Sequence, residues 1–339
     1  FKLSLIAGGL VLALGVMHAP QARAAGFLVY DASAEAMAKG GAVTASVNEP
    51  SAVVFNPAGL AYMPGFQFSL GAVFVTAPTE FEPAGGGPTV STLDQHFFLP
   101  TLYATARVNK WLAVGLGVYT IFGLGIEWPE DWFAREAGIS ATIETVTFSP
   151  TVAFRITDKV SLAAGLNVVR GVVDLTNGLP EAVGGTVRIG GATFGFGAHA
   201  GLMYRIIPNK LHLGASYHSR AKLSFNGKVD FEPGSEDFEP TLPDQGGKAE
   251  ITLPDILNFG VMYRPIPKLT ITFDTNVVFW ETYDEIVLDF DISEDEVLLR
   301  NAKTVATFRL GFEYLFMKGL RGRLGFIYDM NPAPKEYLG

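Results

Sequence analysis

Ser216, His218 and Ser219 stand within four residues of one another. A serine with a histidine in reach is the minimum for nucleophilic hydrolysis. In a strand, side chains two apart share a face, so Ser216 and His218 could meet. Polar neighbours of this kind also arise by chance, and no catalytic residue is assigned. A zinc enzyme finds little support: the chain has no Cys, and beyond residue 25 its histidines are His96, His199, His212 and His218, with no H-E-x-x-H. Gly85-Gly86-Gly87 and Gly195-Phe196-Gly197 lack the following Lys-Ser/Thr of a phosphate loop. Residues 281–296 hold eight carboxylates, which hard cations favour, but EF-hand spacing is absent and a solvated loop accounts for them. The expected cofactor and metal complement is therefore none.

The elements that would carry these residues follow from composition. Hydrophobic residues make up 48% of 339, mean hydropathy is +0.26, and only 17% are charged. A disordered chain is excluded. Lys plus Arg number 25 against 34 Asp plus Glu, a net charge of −9 that argues against a nucleic-acid partner. Lys2, the apolar stretch Leu3 to Val16 and the A-x-A site Ala22-Arg23-Ala24 read as a signal peptide over residues 1–24, so an exported protein is expected.

Beyond residue 25 no apolar run reaches the length of a spanning helix. Apolar residues recur instead with period two. Phe194, Phe196, Ala198, Ala200, Leu202 and Tyr204 alternate with Gly195, Gly197, His199, Gly201 and Met203. Leu112, Val114, Leu116 and Val118 alternate with Ala113, Gly115, Gly117 and Tyr119; Phe308, Leu310 and Phe312 with Arg309 and Gly311. The second face carries Gly, Ser, Thr and Ala rather than the Lys and Glu of a water-washed sheet. Small inward residues suit a crowded lumen, and alternation of this kind is the signature of a transmembrane β-barrel. Trp111, Tyr204, Tyr217, Tyr263, Trp280, Tyr314 and Tyr328 fall at strand ends, as an interfacial girdle would.

Turn residues give an independent signal. Asn109-Lys110, Asp158-Lys159, Pro208-Asn209-Lys210, Pro265 to Lys268 and Lys318-Gly319 read as short turns, with long connections between them. Short turns on the periplasmic side and long loops outside is the outer-membrane pattern. Eleven strands are expected, at roughly 66–77, 96–108, 111–122, 140–157, 159–175, 189–207, 210–229, 249–264, 268–290, 296–316 and 319–330. The odd number leads to the expectation that further strands follow Gly339, because an open edge in lipid leaves backbone groups unpaired. Residues 25–64 do not alternate. Ala34 to Lys39 predicts a helix ended by Gly40-Gly41, and Ser51 to Leu60 a second, interrupted at Asn56-Pro57 and ended by Gly59. Their small, partly apolar composition places them in the lumen as a plug, with residues 65–339 as the wall.

Gly26-Phe27, Gly40-Gly41-Ala42 and the run Ser51-Ala52-Val53-Val54-Phe55-Asn56-Pro57-Ala58-Gly59-Leu60 resemble the FadL/TodX family, outer-membrane transporters of long-chain fatty acids and aromatic hydrocarbons. The likeness continues at Pro100, Phe122-Gly123-Leu124, Trp132 with Arg135, Asp158-Lys159, Ala164-Gly165-Leu166-Asn167 and Leu253-Pro254. It persists through Tyr263-Arg264-Pro265, Trp280, Arg309-Leu310-Gly311 and Arg323 to Asn331-Pro332-Ala333-Pro334. Order and spacing carry the match. The resemblance implies an all-β, antiparallel transmembrane barrel of fourteen strands, about eleven of them present here, with a helical N-terminal hatch bearing Asn56, Pro57 and Ala58. It implies a multi-pass protein of the Gram-negative outer membrane, expected as a monomer among lipid and lipopolysaccharide. Hydrophobic ligand would pass by a hatch rearrangement and a kink in the third strand, assigned to Gly115, Gly117 and Gly123, and leave sideways into the bilayer. Candidate ligand-lining residues are Phe27 and the inward-parity His199, Asp274, Asn276, Arg309 and Arg323; for a charged inward residue a structural network beneath the hatch is the commoner role. Long-chain fatty acid is the first-choice ligand. Where the fatty-acid transporters carry a basic residue after the ninth-strand tryptophan, this chain has Leu288, which keeps an uncharged hydrocarbon in play. A general porin and an outer-membrane lipid hydrolase are the remaining alternatives.

Overall fold

Two-residue alternation resolves into strands whose one face is greasy and whose other face is small. The computed structural model describes residues 27–83, 86–235, 237, 242–292 and 295–332. The expected signal peptide at 1–24, residues 293 and 294 of the acidic stretch, Gly85, and Ala333-Pro334 lie outside these. In chain order the strands are β1 (Phe66–Thr76), β2 (Glu80–Phe81), β3 (Val90–Ser91), β4 (His96–Arg107), β5 (Leu112–Tyr119), β6 (Gly123–Glu127), β7 (Ser140–Arg155), β8 (Val160–Gly178) and β9 (Gly185–Ile207). There follow β10 (Leu211–His218), β11 (Ala221–Pro233), β12 (Gln245–Leu253), β13 (Ile256–Ile266), β14 (Leu269–Val278), β15 (Glu285–Phe290), β16 (Glu296–Leu299), β17 (Val305–Met317) and β18 (Leu320–Asp329). β2 and β3 pair with each other in the first long connection; the other sixteen form one antiparallel sheet. β5 with β6, β10 with β11, β12 with β13, β14 with β15 and β16 with β17 are halves of interrupted staves. Eleven staves therefore run as a meander from β1 to β18, the two edges of the described sheet.

The faces divide as the alternation requires. On β9, Phe194, Phe196, Leu202 and Tyr204 are exposed, while His199 and Met203 are buried. On β7, Phe148, Val152 and Phe154 are exposed, while Thr147, Ser149, Thr151 and Ala153 are buried. So continuous an apolar skin belongs in hydrocarbon rather than water. No helix among the described residues is long and apolar enough to cross a membrane. Trp111, Tyr204, Tyr217, Tyr263, Tyr314 and Tyr328 lie on the exposed face as a girdle would, but Trp280 does not: it is 1% exposed and packed inside. Two of the short turns need the left-handed region, which Asn209 (φ 61°) and Gly319 (φ 88°) supply at least cost.

The segment from Phe27 to Met63 fills the space inside. Helix α1 (Ala34–Ala38) starts at Ser33, whose hydroxyl accepts from the Ala36 N–H at 3.1 Å, and stops where Gly40 and Gly41 turn at positive φ. Helix α2 (Ala52–Phe55) ends at Asn56, and a 3₁₀ helix (Pro57–Tyr62) follows. Gly59 does not end the helix as expected. It sits within the 3₁₀ turn, where a Cβ would lie 3.0 Å from the Val47 side chain.

Asn56 uses all its near hydrogen-bonding capacity. Its Oδ1 accepts from the Ala58 N–H at 3.1 Å, and its Nδ2 donates to the carbonyls of Thr44 (2.7 Å) and Leu202 on β9 (3.0 Å). Pro57 occupies the first helical position, where its missing N–H costs nothing. The Ala58 carbonyl accepts from Ser161 on β8 at 2.8 Å. The Asn-Pro-Ala run thus clips the plug to the wall. Small inward residues let it approach: a Cβ at Gly214 would lie 2.3 Å from the Thr44 carbonyl oxygen, and one at Gly325 would lie 2.0 Å from the Gly40 nitrogen.

Asn56→Ala removes the donor to the buried Thr44 carbonyl and the clip to Leu202, and is expected to destabilise the plug by about 1–3 kcal/mol. Faster proteolysis within 27–63 and raised ion conductance in a planar bilayer are the readouts. Gly214→Val drives a branched side chain into the Thr44 backbone and is expected to cost about 1–3 kcal/mol or more in thermal unfolding in detergent. Gly138→Ala, with open space around it, is expected to stay within about 0.5 kcal/mol of the parent.

Candidate functional site

Three features meet inside the wall: a break in it, an aromatic cluster and a polar network. The break lies between β5 and β6. Tyr119 pairs with Thr147 and Gly123 with Glu144, so three residues (Thr120, Ile121, Phe122) oppose two (Thr145, Val146). This is a bulge, which bends a strand and interrupts its ladder. Side chains replace the missing bonds: Thr145 Oγ1 donates to the Phe122 carbonyl (2.5 Å), and Thr120 Oγ1 donates to the Thr145 carbonyl (2.7 Å).

Above the bulge the stave leaves its other neighbour. β4 pairs with β5 only from Leu102↔Val118 downward, and β6 pairs with β7 alone. Residues 96–101 of β4 keep β1 on one side and have no strand partner on the other. The two staves meet again at the top, where Leu93 N–H donates to the Glu127 carbonyl at 2.8 Å. The result is a framed window. The Phe97 ring packs on Gly125, where a Cβ would fall 2.1 Å from it. The N-terminal arm of the plug borders the window: Val29 N–H donates to Ile121 (2.8 Å) and Gly123 N–H donates to Phe27 (2.9 Å).

Of the glycines assigned to the third-strand kink, Gly123 directly follows the bulge. Gly115 and Gly117 do not form it. They lie in the regularly paired β5, and a Cβ on either would come within 2.9 Å of Val53 on the plug. They give clearance for α2.

Phe27 anchors the aromatic cluster. Its ring lies 5.9 Å from Phe122, 4.9 Å from Trp280 and 5.3 Å from Tyr283, all edge-on. Arg300 lies near Tyr283 at the cluster's rim. Higher in the lumen is an apolar cavity lined by Val173, Phe225, Ala249, Leu288 and Phe290. Leu288 faces inward and is buried; the cavity's Lys248 faces Asp289 on the outer side at 4.0 Å. At the outer end, Trp128 stacks on Trp132 at 4.6 Å beside Phe81 and the exposed Phe133.

The polar candidates lie lower: Asp274, Arg309 and Arg323 hold the plug, while His199 and Asn276 bond to other wall residues. Asp274 accepts from the Thr44 N–H at 2.7 Å. Arg309 donates to the Gly40 carbonyl (2.9 Å) and to Asn276 Oδ1 (2.7 Å), and its guanidinium lies 5.2 Å from the Tyr30 ring centre. Burial raises the Asp31 carboxyl of the plug above its ordinary range, with Arg309 opposing. Asn276 donates to Asn258, which donates to Ser216 (2.9 Å), which donates to the Phe55 carbonyl (2.7 Å). Arg323 bridges Glu35 of α1 (2.9 Å) and Glu313 (2.8 Å). His199 Nδ1 is hydrogen-bonded with Asn167 Oδ1 (2.7 Å) and its Nε2 with Thr151 Oγ1 (2.9 Å). Their hydrogen bonds run to the plug or to one another within the wall. Phe27 alone among the six stands in an apolar setting. Ser216 and His218 do not form a dyad: Ser216 is bound to Phe55 and Asn258, and His218 Nε2 to the Val54 carbonyl at 2.8 Å. No group of three or more His, Asp or Glu that could hold a metal occurs among the described residues.

Sequence reasoning missed Phe97, Val173 and Phe225. Their inward parity was legible, but nothing in one strand says which gap its neighbour leaves.

The sequence profile of the family described as outer membrane protein transport protein (OMPP1/FadL/TodX) matches residues 15–337. Outer membrane protein P1 of Haemophilus influenzae is 24% identical over 97% of this chain and 81% of its own length. The long-chain fatty acid transport protein of Escherichia coli O6:H1 is 22% identical over 93% and 80%. Among solved structures, a Pseudomonas aeruginosa FadL homologue superposes with a TM-score of 0.79 at 17% identity, covering 91% of this chain and 82% of that one. The Pseudomonas putida toluene transporter TodX gives 0.70 at 20% identity, over 91% and 84%. These neighbours are transmembrane barrels, which fixes the fold class. The chain belongs to the OMPP1/FadL/TodX family, Gram-negative outer-membrane β-barrels that transport hydrophobic compounds and are not enzymes.

Proposed function

We infer that this protein passively takes up hydrophobic compounds, long-chain fatty acids first among them, and releases them sideways into the outer membrane. The observation that carries the reading is the framed window between β4 and β6, bordered by a plug arm that two backbone hydrogen bonds hold to the wall. Ligand would be gathered at the exposed aromatic group around Phe133, pass the apolar cavity at Phe225 and Leu288, and reach the Phe27 cluster. Burial of apolar surface at about 25 cal/mol per Å² is enough to load such a route without a nucleotide. Displacing the Phe27–Gly123 and Val29–Ile121 bonds would then open the window toward lipid.

Two observations bear on the ligand's head. Arg300 at the rim of the Phe27 cluster offers a carboxylate a charge-assisted partner. The buried Leu288 offers none and favours an uncharged hydrocarbon, the second reading. Relatives named for long-chain fatty acid and for toluene transport are consistent with either.

Cells that lose the gene and regain it in full length are expected to differ in uptake of oleate, toluene or both. Indifference to every hydrophobe would overturn the transport reading. Arg300→Ala is expected to weaken oleate binding about ten-fold while sparing toluene, as for one lost charged hydrogen bond; equal weakening of both would favour the hydrocarbon reading. Deleting Thr120 makes the bulge two against two and lets β6 rejoin β4. Uptake is then expected to fall by about ten-fold or more with the barrel still folded.

A further inference from the structure

Each of the five short turns carries one lysine: Lys110, Lys159, Lys210, Lys268 and Lys318. All five are exposed, and none forms an ion pair among the described residues. The turns hold a single carboxylate, Asp158, and Arg155 already takes it at 2.7 Å. Just inside the same end, Arg107 donates to the Ala61 carbonyl and Arg205 lies over the Tyr62 ring, so neither adds a counter-charge. This end of the barrel is therefore positive, although the whole chain carries −9. Acid collects at the other end, as with Asp174, Glu232, Glu285 and Asp289 on β8, β11 and β15.

Strand register supplies a second observation. An exposed aromatic ring flanks every one of these lysines on the lipid-facing side. Lys110 Nζ lies 5.1 Å from the Trp111 ring centre. Tyr204 pairs with Val160, next to Lys159; Tyr263 pairs with Leu211, next to Lys210; Tyr314 pairs with Leu269, next to Lys268. Phe316 precedes Lys318 by two residues. All five rings are exposed. Aromatic rings settle where acyl chains meet head groups. The lysines, a residue or two further out, stand at the height of the phosphates, and their stems let the ammonium reach that layer from an apolar surface.

We propose that this rim is a docking surface for anionic phospholipid of the periplasmic leaflet, with each lysine and its aromatic neighbour holding one head group. The short turns of an outer-membrane barrel face that leaflet. The charge on the rim selects the head group. A phosphatidylethanolamine ammonium finds no free carboxylate in the turns and meets five cations of its own sign. A phosphatidylglycerol head group carries net negative charge and no ammonium. Basic side chains at a membrane surface favour such lipids additively, and salt screens the effect. The inference rests on the barrel and its orientation and holds whatever the lumen carries.

The test uses the full-length protein in phosphatidylcholine bilayers, with electron spin resonance measuring the motionally restricted fraction of spin-labelled phosphatidylglycerol and phosphatidylethanolamine. Phosphatidylglycerol is expected to be held about five-fold more strongly at low salt, falling toward parity at about 1 M NaCl. Lys110→Gln, Lys159→Gln, Lys210→Gln, Lys268→Gln and Lys318→Gln combined are expected to bring the ratio to about one, and Lys159→Gln with Lys210→Gln to remove about a third of the preference. Lys222→Gln, Lys228→Gln and Lys248→Gln, in the long-loop half of the wall, are expected to leave it unchanged. The heat-dependent gel shift of a folded barrel checks each variant. Equal retention of both lipids by the parent overturns the proposal, as does a ratio that survives the five substitutions or falls equally with the three controls. Unlabelled lipid A is the competing phosphate source. If it displaces the spin-labelled lipid from the parent more effectively than unlabelled phosphatidylglycerol does, the assignment to the periplasmic leaflet is overturned. None of these outcomes depends on uptake, so failure here leaves the transport reading standing.

Discussion

Hydrocarbon offers a peptide group nothing to bond with, so every N–H and C=O in a spanning wall must find its partner within the protein. That requirement explains how breaks are tolerated here. At the β5/β6 bulge, Thr120 and Thr145 supply hydroxyls to carbonyls the ladder has released. At the step between β10 and β11, Ser219 keeps contact with β9 through its N–H to the Ala198 carbonyl and its hydroxyl to the Ala198 N–H, both 2.8 Å. Asp255, between β12 and β13, accepts from the Arg220 N–H (3.0 Å) and Nε (2.8 Å). Each break is compensated locally by a short polar side chain, and each therefore has a defined shape.

The same requirement governs the plug. Most of its backbone is outside regular structure and so depends on the wall for partners. Asp274, Arg309, Ser216, His218 and Ser161 each spend a bond on a plug backbone group. The wall in turn surrenders side-chain volume, with glycine wherever plug backbone comes closest. A barrel lumen rich in Gly, Ser and Thr is thus neither a pore lining nor a weak core. It is the complementary half of an interface whose other half is the segment from Phe27 to Met63.

This shows what a single sequence could yield. The eleven staves, the inward and outward faces and the short turns follow from period and turn chemistry, because each is set within one strand. The small inward face even announced that something fills the lumen. Which inward residues touch ligand was not legible. Arg309, Asp274 and Arg323 have the right parity and charge for a ligand site, yet their partners come from Gly40, Thr44 and Glu35, hundreds of residues away in sequence. Gly115 and Gly117 misled for the same reason: a glycine in a strand signals a bend or a close neighbour, and only the fold says which. Trp280 ends a strand as a girdle residue does, but the break between β14 and β15 turns it inward against Phe27.

The distribution of bonds also decides which part of the plug can yield. From Gly40 to Tyr62 the plug is held by polar groups on six staves, and releasing it would expose several of them at once. Loss of each such bond leaves a desolvated group behind, at about 1–3 kcal/mol apiece. The arm at Phe27 to Val29 is held to the wall by two backbone hydrogen bonds and by aromatic edges. Edge-on aromatic geometry adds only about 0.5–1.5 kcal/mol per pair beyond area burial, so contacts with an apolar ligand can replace it at little net cost. A hydrophobe entering the cluster can therefore replace what it displaces, whereas nothing it carries could replace Arg309 or Asn56. On the proposed route, opening by the arm alone, with the Asn-Pro-Ala clip closed, would let a greasy molecule reach the window while the lower lumen stayed shut to ions.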